Sequence, residues 1–183
     1  VYELWRYWGP LSVMIIAHGF DNIGLRFDKD GANQRLWSKE DMNKFSKRAQ
    51  CFVDTISNIT VPGTGGIKTN GDRTLAETLA DHEGLKASYM AYVQWLKTHR
   101  VDKDEKRLPG LQYTPKQLFF LNNAIDFCSK LRRKERVSLA RYSNYPVNSI
   151  RINFQMQNSK EFAEAWNCPV GSFMNPGDKC NVY

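Results

Sequence analysis

Thr74-Leu75-Ala76-Glu77-Thr78-Leu79-Ala80-Asp81 opens the longest helical signal in this chain of 183 residues. From about Asp72 to about His99, Leu75, Leu79, Leu85, Tyr89, Tyr92 and Leu96 recur at mostly helical spacing. Glu77 and Asp81 stand four residues apart, so both carboxylates lie on one side of that helix, one turn from each other. Gly84 interrupts the pattern and marks a close helix contact. With 42% hydrophobic and 13% aromatic residues, the chain folds rather than staying disordered, and its length suits one domain with a sizeable core.

Upstream of that helix, Leu11 to His18 is mostly apolar and reads as a buried helix stopped by Gly19. Asp21 to Gly31 is rich in Asp, Asn and Gly and reads as a loop or short hairpin. Ser38-Lys39-Glu40-Asp41 fits a capping box that starts a helix through Cys51. Asn58 to Gly71 is a loop of Gly, Pro and Thr. Downstream, Val101 to Arg107 is a charged connection and Pro109-Gly110 a turn. Thr114-Pro115-Lys116-Gln117 combines a cap, a proline at the first helical position and a Gln three residues on. The helix it opens carries Leu118, Leu121, Ile125 and Cys128. Ile150 to Gln155 alternates weakly, as a short extended segment would, and Asn158 to Glu161 caps a last helix through Trp166. The fold class is mainly α, with short extended segments and long ordered loops.

Lys and Arg outnumber Asp and Glu by 26 to 19, a net charge of +7. The dense run is Lys130 to Arg136, which reads as a solvated helix end. No zinc finger or aromatic RNA-binding signature accompanies it, so no nucleic-acid partner is expected. No apolar run reaches the ~18 residues of a membrane span. No signal peptide is visible and the first residue is not Met, so the sequence reads as a mature, processed or partial chain. The cysteines are Cys51, Cys128, Cys168 and Cys180, without a Cys-x-x-Cys pair. With the glycosylation sequon Asn58-Ile59-Thr60, they point to disulfides and an extracellular setting.

Seven segments, in order along the chain, resemble the neprilysin and endothelin-converting-enzyme family of zinc metallopeptidases. They are His18-Gly19-Phe20-Asp21, Phe27-Asp28-Lys29-Asp30-Gly31, Thr74 to Asp81, Leu108-Pro109-Gly110-Leu111, Gln117-Leu118-Phe119-Phe120-Leu121, Asn158-Ser159-Lys160-Glu161-Phe162 and Met174-Asn175-Pro176. The resemblance implies a largely helical, thermolysin-like (zincin) catalytic lobe of a two-lobed ectodomain, secreted or anchored as a type II membrane protein. Residues 1–183 would be its C-terminal peptidase domain, with the N-terminal lobe and any membrane anchor lying outside this chain. The family's pairing implies a disulfide between Cys51 and Cys180, and bonds from Cys128 and Cys168 to the N-terminal part.

The family binds zinc with two His four residues apart, a Glu beside the first acting as base, and a Glu from a later helix. By this resemblance His18 is the second His and Glu77 the later Glu. Met14 stands at the first His and Ile15 at the catalytic Glu. Asp81 matches the carboxylate that orients the missing first His, so His18 or a nearby Arg becomes its alternative partner, as for Glu77. The His that stabilises the family's tetrahedral intermediate aligns with Tyr145 or with Asn144, and Arg151 matches the substrate-gripping Arg. The Val-Trp pair of the side-chain pocket is Asp126-Phe127, and a buried Asp there would oppose an apolar side chain. His82 and Glu83 replace an Asn-Gly pair. His82 lies about 140° round the helix from Glu77, which suits a packing or surface residue over a ligand. His99, near a helix end, reads as a dipole partner or a solvated residue.

A thioether is a poor zinc ligand beside imidazole, and losing a general base alone costs on the order of 10²–10⁴ in rate. The expectation is a catalytically inactive homologue with no zinc or weak zinc at His18 and Glu77. It would act as a binding or structural subunit, joined to its N-terminal lobe and to an active paralogue. The alternative is an active extracellular zinc endopeptidase. A binder of anionic surfaces, driven by the basic charge, is the distant third reading.

Overall fold

In the computed structural model, residues 10–34, 36–99 and 106–183 are described. Among the described residues, seven α-helices follow one another: α1 Pro10–Ala17, α2 Lys39–Ser57, α3 Gly71–His99, α4 Pro115–Asp126, α5 Arg133–Tyr142, α6 Asn148–Asn158 and α7 Lys160–Ala165. Short 3₁₀ turns at His18–Phe20 and Gly24–Arg26 join α1 to the loop before α2. Extended structure among the described residues is limited to three isolated bridges, Phe27 to Asn33, Thr60 to Lys68 and Ser172 to Asn175. Of the charged connection, residues 101–105 lie outside the described residues.

Local chemistry sets the helix starts. The Ser38 hydroxyl accepts from Asp41 N at 3.0 Å to open α2. Thr114 and Gln117 form a reciprocal capping box at α4, with Pro115 in the first turn, each feature satisfying or removing an orphan N–H. The Ser159 hydroxyl accepts from Phe162 N at 3.0 Å to open α7.

Two cores hold these helices. The larger joins Phe45, Phe52 and Ile56 of α2, Leu79 of α3, Ile150 and Phe154 of α6, and Val182 of the C-terminal tail. A disulfide ties Cys51 to Cys180 across 129 residues of sequence, anchoring that tail to α2. The second core joins Leu85 of α3, Phe120 of α4 and Met156 of α6, with Tyr89 stacked on Phe120 at 5.4 Å between ring centroids. Helix α3 touches both, which makes it the spine on which Glu77 and Asp81 ride.

Three expectations are corrected. Ile150 to Gln155 is helical, inside α6. Its apolar residues serve both cores, Ile150 and Phe154 the larger and Ile152 and Met156 the second, so an amphipathic helix with two apolar faces mimics alternation. Helix α1 is not buried all round, since Ile15 and Ile16 are 69% and 68% exposed. Its inner side lies so close to α3 that a Cβ on Gly84 would stand 2.8 Å from Met14 N and Cα. Asp126 is exposed at the end of α4, and Phe127 is the member of the pair that turns inward. The basic run faces solvent at Lys130, Arg132, Arg133 and Lys134, while half-buried Arg136 donates to the carbonyls of Pro62 and Leu131.

Candidate functional site

His18 leaves the end of α1 with its ring oriented by Asp21. Nδ1 meets Asp21 Oδ2 at 2.7 Å, while Asp21 Oδ1 accepts from Ile23 N and Gly24 N, both at 2.7 Å. Asp21 is 2% exposed, so the carboxylate is locked by the turn that contains it. This directs His18 Nε2 to Glu77 Oε2, 3.3 Å away. Asp21 escaped the sequence reading as a site residue. Its signal was an Asp three residues after His18, inside a stretch that reads simply as loop.

Glu77 is pushed above its ordinary pKa by burial, opposed by His18, by a hydrogen bond from Tyr145 and by the positive charge of Arg151. Of Tyr145 and Asn144, Tyr145 is the one that reaches this cluster. Its ring lies 4.7 Å from the Arg151 guanidinium, and Phe127 offers a second ring at the same distance, both favourable cation–π separations. Asp81 takes Arg151 in two-point contact, Oδ2 accepting from Nε at 2.8 Å and Oδ1 from Nη2 at 2.7 Å. Burial raises the Asp81 pKa, and the Arg151 hydrogen bonds and charge resist that rise. Arg73, one turn before Glu77 on α3, was also not singled out from sequence. It donates to the carbonyls of Ser143 and Ala140 at 2.9 and 2.7 Å and so fixes the segment that carries Tyr145.

The remaining candidates lie elsewhere. His82 is buried against Phe52, ring centroids 5.1 Å apart, and burial, reinforced by the positive charge of Lys86, pushes its pKa down to about 4. His99 is exposed and stacks on Trp95. Cys128 is exposed, Cys168 half-buried, and both are free thiols. Asn58 is exposed as the C-cap residue of α2.

The donor set decides whether a catalytic zinc fits. Two ligands of one tetrahedral zinc at about 2.0–2.2 Å stand about 3.3–3.6 Å apart, and His18 Nε2 and Glu77 Oε2 keep that spacing. Glu77 Oε2 is buried without a hydrogen-bond partner. Yet no group of three His, Cys, Asp or Glu side chains able to hold a metal exists among the described residues. Met14 brings a thioether and Ile15 no donor at all. The residues present supply half a zinc site, and they do not fit the three-ligand catalytic ion.

The chain belongs to peptidase family M13, whose family model matches residues 10–182. It has the mainly helical, zincin-type catalytic-lobe fold of that family. It is 39% identical to neprilysin of Oryctolagus cuniculus over 179 residues, which cover 96% of this chain and 24% of that protein. The solved Haemonchus galactose-containing glycoprotein complex superposes with a TM-score of 0.88 at 31% identity, covering 98% of this chain and 29% of that one. The Mycobacterium tuberculosis zinc metalloprotease Zmp1, solved with an inhibitor, shares the fold with a TM-score of 0.80 at 24% identity, over 88% of this chain and 24% of that one. The chain therefore spans about a quarter of the length of the curated neprilysin it matches. Among the described residues, no helix is long and apolar enough to cross a membrane.

Proposed function

We propose that this chain is the C-terminal lobe of an M13 homologue that has lost peptide hydrolysis and serves as a binding or structural subunit. The observation that carries the reading is the half-site: His18 and Glu77 face each other at 3.3 Å, with Met14 and Ile15 where the family's first His and base would stand. Without three ligands the ion that generates the nucleophile is not held tightly, and Ile15 cannot take a proton from water. Arg151, matched to the substrate-gripping Arg, is engaged by Asp81, so a peptide must compete with a buried carboxylate for it. What zinc the two donors hold is weak.

The same proposal places the chain outside the cell, glycosylated at Asn58, with Cys128 and Cys168 bonded to an N-terminal lobe. The solved Haemonchus protein is a galactose-containing glycoprotein complex, a likeness in line with a glycosylated assembly, and the partner we propose for it is an active paralogue. The second reading, an active zinc endopeptidase, draws on the preserved His18–Glu77 spacing and the similarity to neprilysin. Incubation of the purified protein with neprilysin-type peptide substrates separates the two. No hydrolysis above background is expected, and cleavage abolished by a chelator would overturn the proposal.

A further inference from the structure

A second site candidate lies on the other side of α3, away from the half-site. His82 is buried and Glu83 half-buried, and the zinc chemistry uses neither. His82 helps line a cavity of about 290 Å³ between α3, the junction of α6 and α7, and the C-terminal tail. That volume is at the small end of the range for small-molecule sites.

The walls are fixed. The disulfide from Cys51 holds Cys180, and Cys180 N donates to Asn158 Oδ1 at 2.7 Å. Lys86 pins the tail further, donating to Asn181 Oδ1 and to the Tyr183 main-chain oxygen, each at 2.7 Å. The lining carries Lys86, Lys160 and Lys179 with the carboxylate of Glu161; Lys86 also faces Glu83 at 3.8 Å, which leaves Lys160 and Lys179 as the cations open to a ligand. Lys160 stands 3.9 Å from Glu161 Oε1 with its side chain largely exposed, and Lys179 donates to the Gln157 carbonyl, so both retain donors for a ligand. His82 is 5% exposed, and its Nδ1 has no hydrogen-bond partner. A buried polar atom left unpaired is destabilising.

We propose that this cavity binds the anionic end of a small molecule, a phosphate or carboxylate group received by Lys160 and Lys179 with His82 in the wall. Burial pushes the Lys179 ammonium below the usual lysine range, and an anion beside it would offset that desolvation. The site is independent of whether zinc is bound, since Lys160 and Lys179 lie on α7 and the C-terminal tail, apart from His18, Glu77 and Arg151.

The intact protein carries three histidines, so ring NMR signals of isotope-labelled His report on His82 directly. Titration with inorganic phosphate and, separately, with glutarate is expected to shift the His82 signals saturably in at least one arm, leaving His99 unmoved. The tighter arm identifies the headgroup. Lys160→Gln with Lys179→Gln is expected to weaken that binding at least tenfold. Should the double variant lose its native His spectrum, Lys160→Gln alone is expected to weaken it about threefold. An unmoved His82 in both arms, an equal shift with chloride at matched ionic strength, or affinity unchanged in the variants would overturn the site.

Discussion

Asp81 and Arg151 are joined at two points, Nε to Oδ2 at 2.8 Å and Nη2 to Oδ1 at 2.7 Å, with only 3% and 10% of their side chains exposed. Asp81 matches a position that orients a metal-binding His, yet here it faces a cation contributed by α6. The pair ties α3 to α6 beside the His18–Glu77 cluster.

Breaking this pair from one side leaves a buried charge without its partner. Asp81→Ala is expected to cost about 3–5 kcal/mol of folding stability. Replacing both residues by apolar ones of similar volume is expected to cost much less. Chemical denaturation of the single and double variants measures the difference. A single-variant loss below about 1 kcal/mol would mean that the pair is solvated and not structural.

Gly84 permits the close crossing of α1 on α3. In a helix interior Ala exceeds Gly by about 1 kcal/mol, but a Cβ here meets Met14 backbone at 2.8 Å. Gly84→Ala is therefore expected to destabilise, by about 1–3 kcal/mol in the manner of overpacking. Faster hydrogen exchange in α1 than in α2 would locate the damage. A stabilised variant would contradict the crossing.

His82 makes stability depend on pH. Its folded pKa, about 4, lies below its ordinary value of 6.5, so between these values the unfolded chain binds the extra proton. Its contribution is complete above about pH 6.5 and is lost as pH falls towards 4, by up to about 3 kcal/mol. His82→Gln is expected to flatten the stability profile in that window, read by urea unfolding at successive pH values. An unchanged slope would show that His82 does not titrate in this way.

The disulfide closes a long loop, 129 residues of sequence separation. Chain-entropy reasoning assigns such a link about 5 kcal/mol. Cys51→Ser with Cys180→Ser is expected to lower the melting temperature and to release the tail, raising exchange at Val182. Retention of the full melting temperature would contradict an anchored tail.

Much of this was legible in sequence where the signal is local. Thr114, Pro115 and Gln117 announce α4 because capping is a contact over three residues. Glu77 and Asp81 fall on one side of α3 because helical periodicity places them. What required the fold was long-range. Ile150 to Gln155 looked extended because its apolar residues divide between two cores. The Asp126-Phe127 pair turns at a helix end, where neighbours in sequence face different surroundings, so Asp126 reaches solvent and Phe127 lies under Arg151. Ile15 and Ile16 belong to an apolar run, yet they are more than two-thirds exposed, because α1 presents only its other side to α3. Asp21 acts on His18 through a tight turn that composition describes only as loop.

The central claim is that His18 and Glu77 are half of a zinc site and no more. Elemental analysis of zinc in the natively purified protein after dialysis tests it most directly. Far less than one zinc per chain is expected, whereas one tightly held zinc per chain would overturn the half-site.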